Sequence, residues 1–216
     1  MSDADYYPIY LNLRGRRCVV VGGGAVAEGK VRGLLAAGAE VSVVAPELSP
    51  ELQRLAREGC VTHLERGYLP GDLAGAFLAI SATDDRAVNE QVWREATERD
   101  VLVNVVDDTP HCNFIAPAIL RQGDLAIAIS TGGKAPVLAV RLREQFEKLV
   151  GPEHARFLEL AGALREPVAA RWPSFDIRRA LWYQLVDSDV LDLLRRGDEA
   201  AARSRMAEIM GLERVA

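Results

Sequence analysis

At 216 residues, with 49% hydrophobic and 26% charged side chains, the chain is long enough for one full domain plus a smaller one, and its balance excludes extended disorder. A formal net charge of −5, with no basic tract and no basic-aromatic stripe, excludes general nucleic-acid binding. No apolar run reaches membrane-spanning length, and the N-terminus, with Asp3 and Asp5 before Tyr6, lacks the basic and apolar regions of a signal peptide, so a cytoplasmic location is expected.

The first predicted element is the strand Arg17–Val21, which runs straight into Gly22-Gly23-Gly24-Ala25-Val26-Ala27. A buried strand, a glycine turn and the first turn of a helix is the dinucleotide-binding arrangement. In it Gly22 makes the turn, Gly24 lets the backbone approach a pyrophosphate, and Ala27 is small enough for the helix to lie against the strand. A glycine turn without a ligand is the alternative. In the helix that follows, Ala27, Val31, Leu34 and Leu35 share one face, and Gly38 is a C-terminal stop.

Strand Val41–Ala45 comes next, then a helix opening at Ser49-Pro50-Glu51, a cap residue followed by proline at the first helical position. Strands Val61–Glu65, Phe77–Ser81 and Val101–Val105 follow, with a helix carrying Val88, Val92 and Ala96 between the last two. β-rich and helical segments thus alternate every ~20 residues, the rhythm of a doubly wound parallel sheet over residues 1–113. The rhythm then changes. Phe114–Leu120 and Leu125–Ser130 read as a hairpin turning at Arg121–Asp124, and a helix runs from Val137 to Leu149, so residues 114–150 form a β-then-α segment. Gly151-Pro152 breaks that helix, and 151–216 reads as a small helical domain. The expected fold class is α/β, Rossmann-like, with a hairpin/helix segment and a C-terminal helical domain.

Cys18, Cys60 and Cys112 are too scattered for a zinc site or a disulfide framework. Three reduced thiols are expected, with Cys18 and Cys60 buried in strands as small hydrophobes.

The second strand ends Val43-Val44-Ala45-Pro46-Glu47, so the acid that usually holds the adenosine ribose is displaced by proline. Pro46 and Glu47 are expected to hold the ribose partly by backbone. Glu47 would repel a 2′-phosphate and no arginine stands there to attract one, so NAD is expected rather than NADP. Two polar clusters follow strand ends, where ligands gather in open sheets. In Ser81-Ala82-Thr83-Asp84-Asp85, the acidic and hydroxyl side chains either cap the next helix or touch the nicotinamide side, Thr83 and Asp84 being the candidate contacts. In Asn104-Val105-Val106-Asp107-Asp108-Thr109, Asp107 precedes a proline-containing loop rather than a helix it could cap. Repulsion between Asp107 and Asp108 favours a proton acceptor there, against the alternative of a solvated turn. His111 is a lone loop histidine, more commonly neither ligand nor shuttle. Ser130-Thr131-Gly132-Gly133-Lys134-Ala135-Pro136 is either an anion-binding helix start or a flexible turn. Trp172, Phe175, Trp182 and Tyr183 are expected in the helical-domain core. No metal site is expected.

Taken together, VVVGGGAVAEGK, VVAPE, AISATDD, NVVDD, FIAPAI and AISTGGKAPVLA stand in the order and spacing of the precorrin-2 dehydrogenase family, which includes the N-terminal module of siroheme synthase and the bifunctional dehydrogenase/ferrochelatase. The resemblance covers about residues 5–150. It implies NAD-dependent removal of two hydrogens from precorrin-2 to give sirohydrochlorin, with insertion of ferrous iron in some members. It also implies NAD contacts at Ala25, Val26, Pro46 and Glu47, a catalytic role for Asp107, and a homodimer joined through the segment after the nucleotide domain, Phe114–Leu149. The position at which a member carries a phosphoserine is Thr131 here, after Ser130. Precorrin-2 is a polycarboxylate, and Arg14, Arg16, Lys134, Arg141 and Arg143 are the expected positive rim. An ordinary small-metabolite dehydrogenase would need a catalytic His or Lys in a larger substrate domain. A non-enzymatic NAD-sensing module that gates a partner commonly keeps the ribose-binding acid and has no use for Asp107.

Overall fold

The computed structural model describes residues 6–213, which fall into two compact units, one ending at Ala116 and the other beginning at Pro117. In the first, five parallel strands, β1 (Arg17–Val21), β2 (Glu40–Val44), β3 (Val61–Leu64), β4 (Leu78–Ser81) and β5 (Leu102–Val105), lie in the order β3-β2-β1-β4-β5. Three helices connect them: α1 (Ala25–Ala36), α2 (Pro50–Arg57) and α3 (Arg86–Glu98). The strand order reverses at β1, between β2 and β4. This is the Rossmann-like parallel sheet that the alternation of elements predicts.

The strands are apolar on both faces because both faces are covered. Cys18, Val20, Val43 and Ile80 pack with Ala27, Val31 and Leu34 of α1 and Leu52 and Leu55 of α2. Val19, Val21, Ala79, Val103 and Val105 point the other way, against Val92 and Ala96 of α3 and against Tyr68 and Leu73 from the β3–β4 connection. Ala27 is fully buried, as its position at the α1–β1 contact requires. Ser49 caps α2, its Oγ accepting the Leu52 N–H at 3.3 Å. Cys18 is buried, but Cys60 is exposed: β3 starts one residue later, and Cys60 lies in the turn that closes α2.

Among the buried polar groups, Glu95 of α3 ties the β3–β4 connection to the sheet. Its carboxylate accepts from the Tyr68 hydroxyl, from the N–H of Gly71 (2.8 Å) and Leu73 (3.3 Å), and from Arg99 Nε (2.8 Å). Burial pushes this carboxyl up, but the donors outweigh burial and hold it below the usual glutamate value of 4.5.

The second unit opens with the antiparallel hairpin β6 (Ala118–Gln122) and β7 (Leu125–Ile129), turning at Gly123-Asp124. The first hairpin strand starts at Ala118 rather than Phe114, because Phe114 packs into the core of the first unit and Pro117 has no N–H to donate. Helix α4 (Pro136–Phe146) ends earlier than expected and is followed by α5 (Pro152–Arg171), α6 (Phe175–Val186), α7 (Val190–Arg195) and α8 (Glu199–Met210). The last four enclose a second core around Leu160, Leu164, Val168, Leu185, Val190, Met206 and Met210. Among the described residues, no helix is long and apolar enough to cross a membrane.

Replacing Glu95 with alanine strands the buried Leu73 N–H and Tyr68 hydroxyl and frees the Gly71 N–H, and should cost about 3 kcal/mol in a denaturant titration. A carboxyl held low when folded stabilises fully above the unfolded value and loses that contribution as pH falls through the folded one. The thermal midpoint should therefore drop as pH falls below 4.5, and Glu95→Gln should flatten that drop; an unchanged acid slope would contradict the role assigned to Glu95.

Candidate functional site

Because the strands are parallel and the register pairs Val21 with both Val44 and Ser81, and Ser81 with Val105, the segments that follow β1, β2, β4 and β5 leave from one edge of the sheet. That edge carries Gly22, Gly24, Ala25, Val26, Pro46, Glu47, Thr83, Asp84 and Asp107, so the fold collects the candidate coenzyme and catalytic residues at the carboxyl ends of the strands, where open parallel sheets bind ligands.

The three glycines have different jobs. Gly22 adopts φ +116°, and a Cβ there would sit 2.3 Å from the Ala82 carbonyl oxygen. A Cβ on Gly23 would lie 1.9 Å from the Glu47 carbonyl oxygen, where Ser49 N–H also donates to Gly23 O at 2.7 Å. Both glycines let neighbouring backbone approach. A Cβ on Gly24 would meet nothing within 4 Å, and Gly24 caps α1 without a side-chain partner. Glycine suits a helix cap, but no neighbour requires it at 24, and the open space over the N–H groups of Ala25 and Val26 has the form of a pyrophosphate site. Ala25 and Val26 are exposed in that first turn, as such a contact needs.

Pro46 and Glu47 line a cleft of about 280 Å³ with Leu48, Gln53, His63 and Glu65, beyond the ends of β2 and β3. No lysine or arginine lines it, and His63 is turned inward, Nε2 lying 2.9 Å from Ala45 O. A staple unseen in the sequence holds this loop against α1. Ser49 Oγ donates to Glu28 Oε2 at 3.1 Å, and Arg32 lies 2.8 Å from Glu28 and 3.2 Å from Glu51. Glu28 and Ser49 are far apart in sequence, so only their shared helix-start positions could have hinted at it.

After β4, Asp85 is the cap of α3, accepting from Ala87 N–H at 2.9 Å and Val88 N–H at 3.2 Å. Thr83 Oγ1 accepts the Asp85 N–H at 3.3 Å, and the Thr83 carbonyl accepts from Asn89 Nδ2 at 3.1 Å. The capping job falls to Asp85, and the exposed Asp84 has no partner among the described residues.

Asp107 lies two residues past β5 with φ +61°, a left-handed conformation that costs a non-glycine residue about 1 kcal/mol. Its carboxylate is exposed and has no hydrogen-bond or ion-pair partner among the described residues. The surrounding turn is clasped at several points. Asp108 N–H donates to Val105 O at 3.2 Å. Cys112 Sγ accepts from Val105 N–H at 3.2 Å and lies 3.2 Å from the carbonyl oxygens of Val105 and Asp108. Burial pushes this thiol up, so it stays protonated and donates S–H to those carbonyls. The expected repulsion between Asp107 and Asp108 gives way to a different arrangement. Asp108 Oδ2 lies 2.7 Å from His111 Nδ1, while His111 Nε2 lies 3.3 Å from Glu90 and the ring meets Trp93 edge-on at 4.7 Å. With both ring nitrogens engaged, His111 braces the single 3-10 turn Thr109–His111, and Asp107 alone is left open.

In the second unit, the Ser130–Pro136 turn is closed on itself, Gly132 N–H donating to Ser130 Oγ (3.0 Å) and Ala135 N–H to Thr131 Oγ1 (3.2 Å), which favours the turn over the anion site. Arg141 pairs with Glu144 on its own helix and Arg143 with Glu147 just past its end, and Arg16 stacks on Phe77. Trp172 and Trp182 pack against the helical core as expected, but Phe175 and Tyr183 are each 67% exposed, because they lie on the outer face of α6. Among the described residues, no group of three or more His, Cys, Asp or Glu is placed to hold a metal ion.

The sequence profile of an NAD(P)-binding family matches residues 9–118, that of the siroheme biosynthesis protein central region matches 122–149, and that of the siroheme synthase dimerisation region matches 154–210. The last match falls on the helices rather than on the hairpin segment to which the resemblance points. The chain is 45% identical over 202 residues to a siroheme synthase of Chromobacterium violaceum, and 46% identical over 199 residues to siroheme synthase 3 of Aeromonas hydrophila. These alignments cover 94% and 92% of this chain but only 43% and 42% of those proteins, so the chain spans less than half the length of these relatives. Among solved structures, SirC, a precorrin-2 dehydrogenase, superposes with a TM-score of 0.76 at 27% identity, over 94% of this chain and all of that one. The first unit is an NAD-binding fold.

Since no neighbour requires glycine at 24, Gly24→Val should fold, losing about 1 kcal/mol for the poorer helix cap. It should raise the calorimetric Kd for NAD by ~10-fold or more, by filling the space over the helix N-terminus. Unchanged NAD affinity would place the pyrophosphate elsewhere.

Proposed function

The chain belongs to the family of siroheme-synthase N-terminal modules, and on that premise we propose that it is an NAD-dependent precorrin-2 dehydrogenase that forms sirohydrochlorin, working as a cytoplasmic homodimer. The observation that carries this reading is the free Asp107 carboxylate on the strand edge that also bears the glycine turn. When bound, NAD supplies an oxidised nicotinamide to accept the hydride that leaves a reduced carbon of the macrocycle. The chain's own residues do the rest. Ala25 and Val26 present main-chain N–H groups to the pyrophosphate, and Pro46 and Glu47 border the adenosine cleft. Thr83 and Asp84 flank the nicotinamide side. Asp107 accepts the proton that must leave alongside the hydride, so that two hydrogens are removed and the ring gains a double bond. The strained turn and its Cys112, Asp108 and His111 braces hold that carboxylate outward.

Glu47 and Glu65 in a cleft lined by no lysine or arginine select against a 2′-phosphate, and NAD is therefore the coenzyme in this reading. Parallel titrations should give a Kd for NADP at least ~10-fold above that for NAD, and equal affinities would overturn this selectivity.

Insertion of ferrous iron into sirohydrochlorin also requires loss of pyrrole protons, and the same carboxylate is placed to accept them. The macrocycle nitrogens are the final ligands, so iron enters here as a substrate. Asp107→Asn keeps the size of the side chain and tolerates the left-handed backbone, but removes the base. Turnover of precorrin-2 with NAD, followed by absorbance, should fall by ~10²-fold or more while the Kd for NAD is unchanged. The iron-dependent colour change with sirohydrochlorin should fall with it. Retained turnover in Asp107→Asn would remove this residue from the mechanism.

A further inference from the structure

The two loops that the proposed chemistry uses, one after β4 and one after β5, are held by neighbouring residues of a single helix. Asn89 and Glu90 stand side by side near the start of α3. Asn89 reaches the nicotinamide-side loop: its Oδ1 accepts from Ser81 Oγ at 2.6 Å, and its Nδ2 donates to the Thr83 carbonyl at 3.1 Å. Glu90 reaches the turn that carries Asp107. Its Oε2 lies 3.3 Å from Nε2 of His111, whose Nδ1 lies 2.7 Å from Asp108 Oδ2. Arg94, one turn further along α3, donates from Nε to the other Glu90 oxygen at 2.7 Å and so aims the carboxylate at the ring. Trp93 of the same helix meets that ring edge-on.

The His111–Glu90 contact is too exposed to matter much for overall stability. The two side chains keep 30% and 36% of their surface in solvent, where such pairs contribute little. Its effect is geometric. Taking a hydride and a proton from one substrate requires the two acceptors to keep one relative placement, and an error of about 1 Å can cost ~10²-fold in rate. Asp107 cannot supply that placement from its own backbone. At φ +61° it holds a left-handed conformation, which persists only when its surroundings impose it. Contacts within the turn, at Asp108 and Cys112, give it shape but tie it to nothing beyond β5. The clasp from His111 to Glu90 reaches across to α3, where the next residue back grips the other loop.

We propose that Glu90 and His111 are positioning residues: together with Asn89 they make α3 a common anchor that keeps the Asp107 turn in register with the nicotinamide-side loop. Both act through the turn and not on the substrate. The purpose of that register rests on the dehydrogenase reading above, whereas the link itself belongs to the chain. Capping of α3 does not account for it, since Asp85 already performs that task.

The test compares the full chain with Glu90→Ala, His111→Ala and the double variant in precorrin-2 turnover with NAD. Each single substitution should lower kcat by ~10-fold, with the KM for precorrin-2 and the Kd for NAD within ~2-fold of the parent. The double variant should be no slower than either single one, because both break the same link. Glu90→Gln, whose amide oxygen still accepts from the ring, should keep the parent kcat. Amide hydrogen exchange on the same samples should quicken over residues 105–112 in Glu90→Ala and stay at the parent rate in β1 to β4. Parent-like kcat in both alanine variants, losses that multiply in the double variant, or a Glu90→Gln as slow as Glu90→Ala would overturn the positioning role. So would exchange that is unchanged at 105–112, or that quickens throughout the first unit, which would make the clasp a general stabiliser. A parent chain that forms no sirohydrochlorin removes the dehydrogenase reading and the positioning role with it. A parent that turns over, with alanine variants that match it, removes the positioning role alone.

Discussion

Two segments of main chain converge on the turn after β1, at distances that leave no room for a single extra carbon on either of its first two glycines. The Ala82 carbonyl that follows β4 presses on Gly22, and the Glu47 carbonyl that follows β2 presses on Gly23. This contact brings together the parts of the sheet edge that precede and follow the reversal in strand order. It also fixes where the N-terminus of α1 points, leaving Gly24 and the N–H groups behind it facing open space. A turn built this way acts as scaffold on two sides and is open on the third, and the cleft at Pro46 and Glu47 and the strand edge beside it both depend on it.

The second constraint is an exposed acid in an unfavourable backbone conformation. Asp107 sits at φ +61° because the chain must leave β5, turn within two residues and return Asn113 to the strand, where its side chain accepts from Val103 N–H and donates to Val101 O. A left-handed residue with a free carboxylate, fenced by a thiol and a histidine that each bond to Asp108, is an arrangement that stability alone does not demand. The braces absorb the polar groups that would otherwise compete for Asp107. Its carboxylate is left facing solvent.

Much of the first unit was legible because its signals are local. The Val19–Val21 run, the glycines and the Ala27, Val31 and Leu34 face are all read within a single βα unit, and the fold uses them as the pattern implies. Asp85, rather than Thr83 or Asp84, as the cap of α3 was one of the open possibilities and needed geometry to decide. What escaped the sequence is non-local. Adjacency suggested that Asp107 and Asp108 repel one another, but Glu90 and Trp93 on α3 supply the other walls of the His111 clasp, and nothing near residue 111 announces them. Cys60 reads as the opening of the strand that begins at Val61, but it lies in the turn just before it, where its thiol is exposed. Phe175 and Tyr183 were expected inside because large aromatics usually are, whereas α6 has Leu185 as its one fully buried residue and turns an aromatic and cationic stripe outward.

A dehydrogenase reading of this chain stands on a coenzyme and a carboxylate addressing one substrate from the same edge of the sheet. The most direct measurement is a crystal structure of the chain with NAD and sirohydrochlorin both bound. The account predicts the pyrophosphate on the N–H groups of Ala25 and Val26, and an Asp107 carboxylate oxygen within ~3.5 Å of the macrocycle on the side that faces the nicotinamide. A macrocycle bound out of reach of Asp107, or a coenzyme lying away from the glycine turn, would contradict it.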